Sequence, residues 1–188
     1  MERDYILFSE YNHSQLHEIR LGMEQKLDVI KYADPRYSSW QMWKIREALE
    51  HNRDVRILCR QEWDDEMVTV LQHALLDNID VESYADEGFT ASQIKEIYRG
   101  LMEGIPVEKY ALKSFTADQM FELREGLKNN EDISLYASPA LDPQSMSLIR
   151  TATAEGMELK DKISQKMVYE EIKAIILEEK EVTQIEEK

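Results

Sequence analysis

Apolar positions recur along this chain on a fixed stride of 26 residues. Stepping from Ile19 gives Ile45, Leu71, Ile97, Leu123 and Ile149, and three residues earlier stand Leu16, Met42, Val68, Ile94, Met120 and Met146. Three residues later the column is small throughout: Gly22, Ala48, Ala74, Gly100, Gly126 and Ala152. Positions three apart share one face of a helix, so each stride opens with an amphipathic helix. The small column predicts close approach between successive long helices.

The same stride carries start and stop signals. Asn12, Ser38, Asp64, Thr90, Thr116 and Asp142 all have side chains that accept from the free N–H groups of a first helical turn. Three residues on, Gln15, Gln41, Gln93 and Gln119 complete capping boxes, and Tyr11, Tyr37, Trp63, Phe89, Phe115 and Leu141 precede the caps as hydrophobic staples. Pro143 follows the Asp142 cap, where a missing N–H costs nothing. Lys26, Asn52, Asn78, Gly104, Asn130 and Gly156 end the helices, all but the first being types that tolerate a left-handed backbone. A second cap column, Asp28, Asp54, Asp80, Pro106, Asp132 and Glu158, followed by Val29, Val55, Val81, Val107, Ile133 and Leu159, predicts a short second helix.

A long and a short helix per stride cannot bury their apolar faces alone and must stack on neighbours. The pattern predicts an all-α chain, an α/α solenoid of six gapless 26-residue helix-turn-helix repeats over residues 12–162. Residues 1–11, with Ile6 and Leu7 at repeat-like positions, are expected to form an N-terminal half-unit cap. Residues 163–188, with Met167, Val168, Ile172, Ile175 and Ile176 as an apolar stripe, are expected to form a closing helix with an acidic tail. The whole of 1–188 then counts as a single domain.

Composition narrows the function classes. Asp plus Glu number 38 against 23 Lys plus Arg, a formal charge of −15, which disfavours direct nucleic-acid binding. No apolar run reaches the roughly 20 residues of a membrane helix, no signal-peptide pattern opens the chain, and Cys59 has no internal disulfide partner. These features predict a cytoplasmic protein without membrane contact.

The repeat text, close to QMxxIRxGLxxGxDVxxYAxPxF and clearest in Gln41–Val55 and Gln93–Phe115, resembles repeats of uncharacterised gut Firmicutes proteins. Relatives of those repeats are carried on conjugative and other mobile elements. The resemblance spans roughly residues 12–160 and implies a lineage but no activity, cofactor or catalytic residue. The third repeat departs most, with Met67, Gln72 and Ala74.

Few residues invite chemistry. His13 and His17 lie four apart but lack an evident third metal ligand, and Cys59 stands where other repeats have Ala, so it reads as small filler. No metal, cofactor or catalytic residue is expected. Arg20, Arg46, Arg124 and Arg150 recur at one address, with Gln72 and Tyr98 as exceptions. They either line a groove for an acidic peptide or phosphate, or pair with cap Asp residues and carbonyls between layers to hold the stack in register. Trp40 and Trp43 share one helical face in variable columns, with Phe121 at the address of Trp43. They are either binding anchors or packing against the preceding repeat or the N-terminal half-unit.

The resulting expectation is a noncatalytic scaffold for a protein or peptide partner, monomeric or weakly self-associating through the C-terminal helix. The competing expectation is an acidic nucleic-acid mimic or decoy associated with a mobile element. Such a mimic needs regular carboxylate rows, whereas the column Glu18, Lys44, Val70, Glu96, Glu122, Leu148 changes sign from repeat to repeat.

Overall fold

The computed structural model describes residues 8–186, with side chains as far as Glu181. Ile6 and Leu7 of the expected N-terminal half-unit, and the last two residues of the acidic tail, lie outside the described residues. Every regular element among the described residues is helical. Six helices of 12 residues each begin one residue after the cap column: α1 (His13–Glu24), α2 (Ser39–Glu50), α3 (Asp65–Leu76), α5 (Ala91–Met102), α6 (Ala117–Lys128) and α7 (Pro143–Ala154). Between α3 and α5 lies the short α4 (Glu82–Asp86), and α8 (Tyr169–Glu186) follows α7. No helix is long and apolar enough to cross a membrane among the described residues.

The caps form as local chemistry predicts, with the expected capping boxes closed at Gln15, Gln93 and Gln119 and not at Gln41. The N–H of residue N3 donates to the side chain of Asn12, Ser38, Asp64, Thr90, Thr116 and Asp142 in turn. The C-terminal signals work too. Lys26, Asn52, Asn78 and Asn130 have φ between 56° and 60°, and Gly104 and Gly156 have φ of 69° and 89°. In each case the next N–H donates five residues back, as Leu27 does to the Gly22 carbonyl at 2.9 Å, which closes a Schellman motif.

A 12-residue helix is about 18 Å long and marginal alone in water, so packing decides. Ile19, Ile45, Ile97, Leu123 and Ile149 are fully buried, each contributing on the order of 1.5–3 kcal/mol. Gln15 adds a polar clip: its Oε1 accepts from Asn12 N–H at 2.8 Å, while its Nε2 donates to the carbonyls of Pro35 at 3.0 Å and Tyr37 at 2.7 Å. Gln119 makes the same pair of bonds, to the Pro139 and Leu141 carbonyls, whereas Gln41 reaches three residues earlier in its repeat, to the carbonyls of Leu58 and Arg60. The capping glutamine therefore also anchors the next repeat.

The chain divides into two compact units between Tyr98 and Arg99, inside α5. In the first, α2 packs between α1 and α3; in the second, α7 packs between α6 and α8.

Three expectations are corrected. At its glycines the small column meets its own repeat and not a neighbouring long helix: a Cβ on Gly22, Gly100 or Gly126 would meet the hydroxyl of the tyrosine that ends the short element. The short element is mostly a single 3-10 turn, at Val29–Lys31, Arg56–Leu58, Val107–Lys109 and Ile133–Leu135, with α4 the one α-helical case among the described residues. Of the aspartates expected to cap it, Asp132 does so, its Oδ1 accepting from Ser134 N–H at 3.0 Å; Asp54 and Asp80 stand one residue before the cap and accept from Arg56 and Glu82 N–H, and Asp28 makes no side-chain cap bond. Finally, α8 begins at Tyr169 and not near Ile163. Val168 N–H donates to Glu171 Oε2 at 3.0 Å at its start, Ile172 and Ile176 are buried, and Val168 is 61% exposed.

Candidate functional site

The N-terminal halves of α1 and α2 enclose a groove of about 420 Å3, lined by His13, Ser14, His17, Glu18, Ser39, Trp40 and Trp43. Helical geometry explains why the tryptophans are there. Gln41, Met42, Ile45 and Ala48 occupy the buried side of α2, so residues 40 and 43 fall on the outer side. The two indoles meet edge to face with centroids 4.8 Å apart. Trp40 is 41% exposed and Trp43 half-buried.

Beneath them lies Lys44, which is buried although it is charged. Its Nζ sits 4.2 Å from the Trp43 centroid and 5.5 Å from that of Trp40, and 3.4 Å from Glu47 Oε2. The ring faces and the carboxylate replace the hydration that burial removes. Glu47 Oε2 also accepts from Gln72 Nε2 at 2.8 Å. On the far side, Trp40 Nε1 donates to Thr69 Oγ1 at 2.9 Å, and the Ser38 hydroxyl donates to Asp65 Oδ1 at 2.6 Å. The aromatic pair is thereby tied to the first turns of α3.

The arginines behave differently. Arg46 Nε donates to Glu18 Oε2 at 2.8 Å and Arg150 Nε to Glu122 Oε2 at 2.8 Å, each reaching a carboxylate 28 residues earlier on the adjacent helix. Arg46 also pairs with Glu50, and Arg124 pairs with Glu103 at 2.9 Å and Glu125 at 2.8 Å. Neither a cap aspartate nor a carbonyl supplies these contacts, which corrects the partner expected for the register-holding role. Arg46 and Arg124 are buried, Arg150 is half-buried, and only Arg20 of the four is exposed. Lys128, hydrogen-bonded to Glu103, holds that carboxyl below the usual carboxylate range.

Phe121 is 38% exposed in the second unit, with the Arg124 guanidinium 5.4 Å from its ring. His13 and His17 line the tryptophan groove, and no cluster of three or more metal-binding side chains occurs among the described residues. The sequence reading did not single out Lys44 or Thr69. Lys44 stands in a column that otherwise holds Glu, Val or Leu, which is the signal that marks it.

A larger groove, about 860 Å3, lies between the short elements of the second and third repeats and contains Arg53, Arg56 and Arg60. Their guanidinium groups are engaged internally: Arg53 with Leu76 O at 2.7 Å, Arg56 with Asp54 at 2.6 Å and Arg60 with Asp86 at 2.5 Å. No protein-family model, curated protein or solved structure matches the chain.

Proposed function

We propose that the protein is a noncatalytic helical-repeat scaffold that docks a protein or peptide partner on the outer face of α1 and α2, with Trp40 and Trp43 as anchors. The observation that carries this reading is the exposure of Trp40, at an address where the other repeats have Ser14, Glu66, Ser92, Asp118 and Gln144. The fold needs no aromatic there, and large aromatics on a solvent-facing groove are the side chains that dominate binding energy in interfaces. The unbroken 26-residue stride through α5 supports reading all six repeats as one α/α solenoid, a form whose extended surface suits such a role. The mobile-element lineage and a cytoplasmic setting belong to the same proposal and rest on the sequence.

The competing reading, an acidic nucleic-acid mimic, asks for free carboxylates in rows. Glu18, Glu103 and Glu122 are instead engaged by arginines or lysine of neighbouring helices. Affinity capture with the intact protein, beside a Trp40→Ala variant of matched melting temperature, tests the scaffold. Loss of a specific partner from the variant is the expected result; an unchanged set of captured proteins overturns the anchor role.

A further inference from the structure

We infer that the occupant of the Trp40–Trp43 groove is a basic peptide segment, one that lays a guanidinium or ammonium group on the exposed indole and its neighbouring positive charges on α3. This rests on the scaffold reading and specifies the partner's chemistry.

The first observation is where the chain keeps its charge. Residues 64–89 contain eight carboxylates, from Asp64 to Glu87, and no Lys or Arg, so this one repeat has a formal charge of −8 out of −15 for the chain. All eight are exposed. Asp64, Asp65 and Glu66 stand in succession at the start of α3 and act as one negative patch at ordinary ionic strength, whereas Asp77 lies at the other end of that helix, about 18 Å away, and Asp86 is paired with Arg60.

The second observation is how that repeat is joined to the groove. Trp40 Nε1 bonds to the Thr69 hydroxyl, which in turn donates to the Asp65 carbonyl at 2.6 Å. The Asp65 carboxylate itself accepts from Ser38 at the start of α2. Glu66 follows Asp65 in the first turn of α3 and is exposed. The aromatic anchor and the acidic turn therefore form one continuous surface.

The third observation is the groove's own lining. Its lining residues include no Lys or Arg, and the guanidinium of Arg46 is buried and tied to Glu18, one of those lining residues. Lys44 shows what the indole pair accepts, since its ammonium already rests against both rings from the buried side. The outer surface of Trp40 is open to a second cation of the same kind. Acidic peptides and phosphate backbones meet repulsion from the start of α3, and the ammonium behind the rings, that of Lys44, is already paired with Glu47.

The test uses the intact protein and two fluorescein-labelled 12-residue probes, one alternating Arg with Leu and one alternating Glu with Leu, read by fluorescence anisotropy at several salt concentrations. The Arg probe is expected to bind and the Glu probe not. Trp40→Ala is expected to weaken the Arg probe by about ten-fold or more, and the double variant Asp65→Asn, Glu66→Gln to weaken it several-fold with a shallower salt dependence. Equal binding of the two probes, or of neither, overturns the inference. Binding that follows salt alone and survives Trp40→Ala also overturns it, because diffuse attraction to an acidic chain then suffices. The scaffold reading fails separately, when capture of native proteins does not depend on Trp40; Trp40-dependent capture that ignores Asp65→Asn, Glu66→Gln removes only the basic-partner assignment.

Discussion

The phenol oxygen of Tyr136 occupies the space that a side chain on residue 126 would need: a Cβ on Gly126 would lie 1.9 Å from it. Gly22 with Tyr32 and Gly100 with Tyr110 repeat the relationship at the same distance, and all three tyrosines are fully buried. Tyr32 satisfies its hydroxyl by donating to the Glu18 carbonyl at 3.1 Å. Where the small residue is Ala48, the tyrosine address holds Leu58, which lacks the ring and its hydroxyl. Where it is Ala74, the tyrosine is Tyr84, carried on α4 and only half-buried. Glycine and tyrosine thus form a matched pair inside one repeat.

That pairing predicts an unusual sign for Gly126→Ala. Helix propensity alone favours alanine by about 1 kcal/mol in a helix interior. The clash with Tyr136 is expected to outweigh it, leaving a net loss of about 1–3 kcal/mol in urea denaturation. Adding Tyr136→Leu, which copies the Ala48–Leu58 arrangement, is expected to recover part of the loss. Additive effects of the two substitutions would show that the residues are not coupled.

Arg150 and Glu122 predict a second coupled pair. Their side chains are 20% and 10% exposed, so the ions are partly desolvated and removing one strands the other. Arg150→Met is expected to cost about 1–3 kcal/mol, and Glu122→Leu in the same chain to return much of it. Calorimetric melting of the single and double variants checks this; a double variant as unstable as the sum of the singles contradicts it.

Lys26 holds a left-handed backbone, φ 60°, at the address where the other repeats use Asn or Gly. A side chain with a Cβ is disfavoured there by roughly 1–2 kcal/mol, which Gly avoids. Lys26→Gly is expected to stabilise the protein by about 1 kcal/mol, and Asn130→Gly to change stability little. Equal shifts in melting temperature for the two would contradict it.

The caps and Schellman ends were legible because each involves residues within one helical turn or its flanks, and a column of six short-range signals is read directly from the chain. The Arg46–Glu18 and Arg150–Glu122 contacts were not, because their partners lie 28 residues back, in different columns of different repeats. A comparison between adjacent repeats carries that signal. Where the earlier column has Lys44 or Val70, the later one has Gln72 or Tyr98 and no arginine. The role of the glycine column was misread for a related reason: smallness permits a close approach without naming what approaches, and only the packing of Tyr136 and its counterparts identifies it. Trp40 and Trp43 could be assigned to one face by spacing, but their exposure depends on how α1 and α3 flank α2.

Cys59 supplies a prediction in pH. Burial pushes its thiol from about 9 up to about 11, and Sγ lies 3.4 Å from the Lys31 carbonyl, which accepts from the protonated form and gives nothing to a thiolate. In the unfolded chain the proton leaves near the ordinary value, so the stabilisation from keeping it is complete below about pH 9 and is lost as pH rises toward 11. Tyr32 and Tyr37, pushed up to about 12 by burial, act in the same direction at higher pH. Cys59→Ala, which restores the residue found at Ala33, Ala85, Ala111 and Ala137, removes the thiol contribution alone. Urea denaturation at about pH 8 and about pH 10.5 is therefore expected to show the variant gaining on the natural chain at the higher pH. A constant difference across the two pH values would mean that the thiol ionises as readily folded as unfolded. Iodoacetamide labelling at about pH 8 gives an independent reading, since only the thiolate reacts, and the folded chain is expected to label far more slowly than the chain in denaturant.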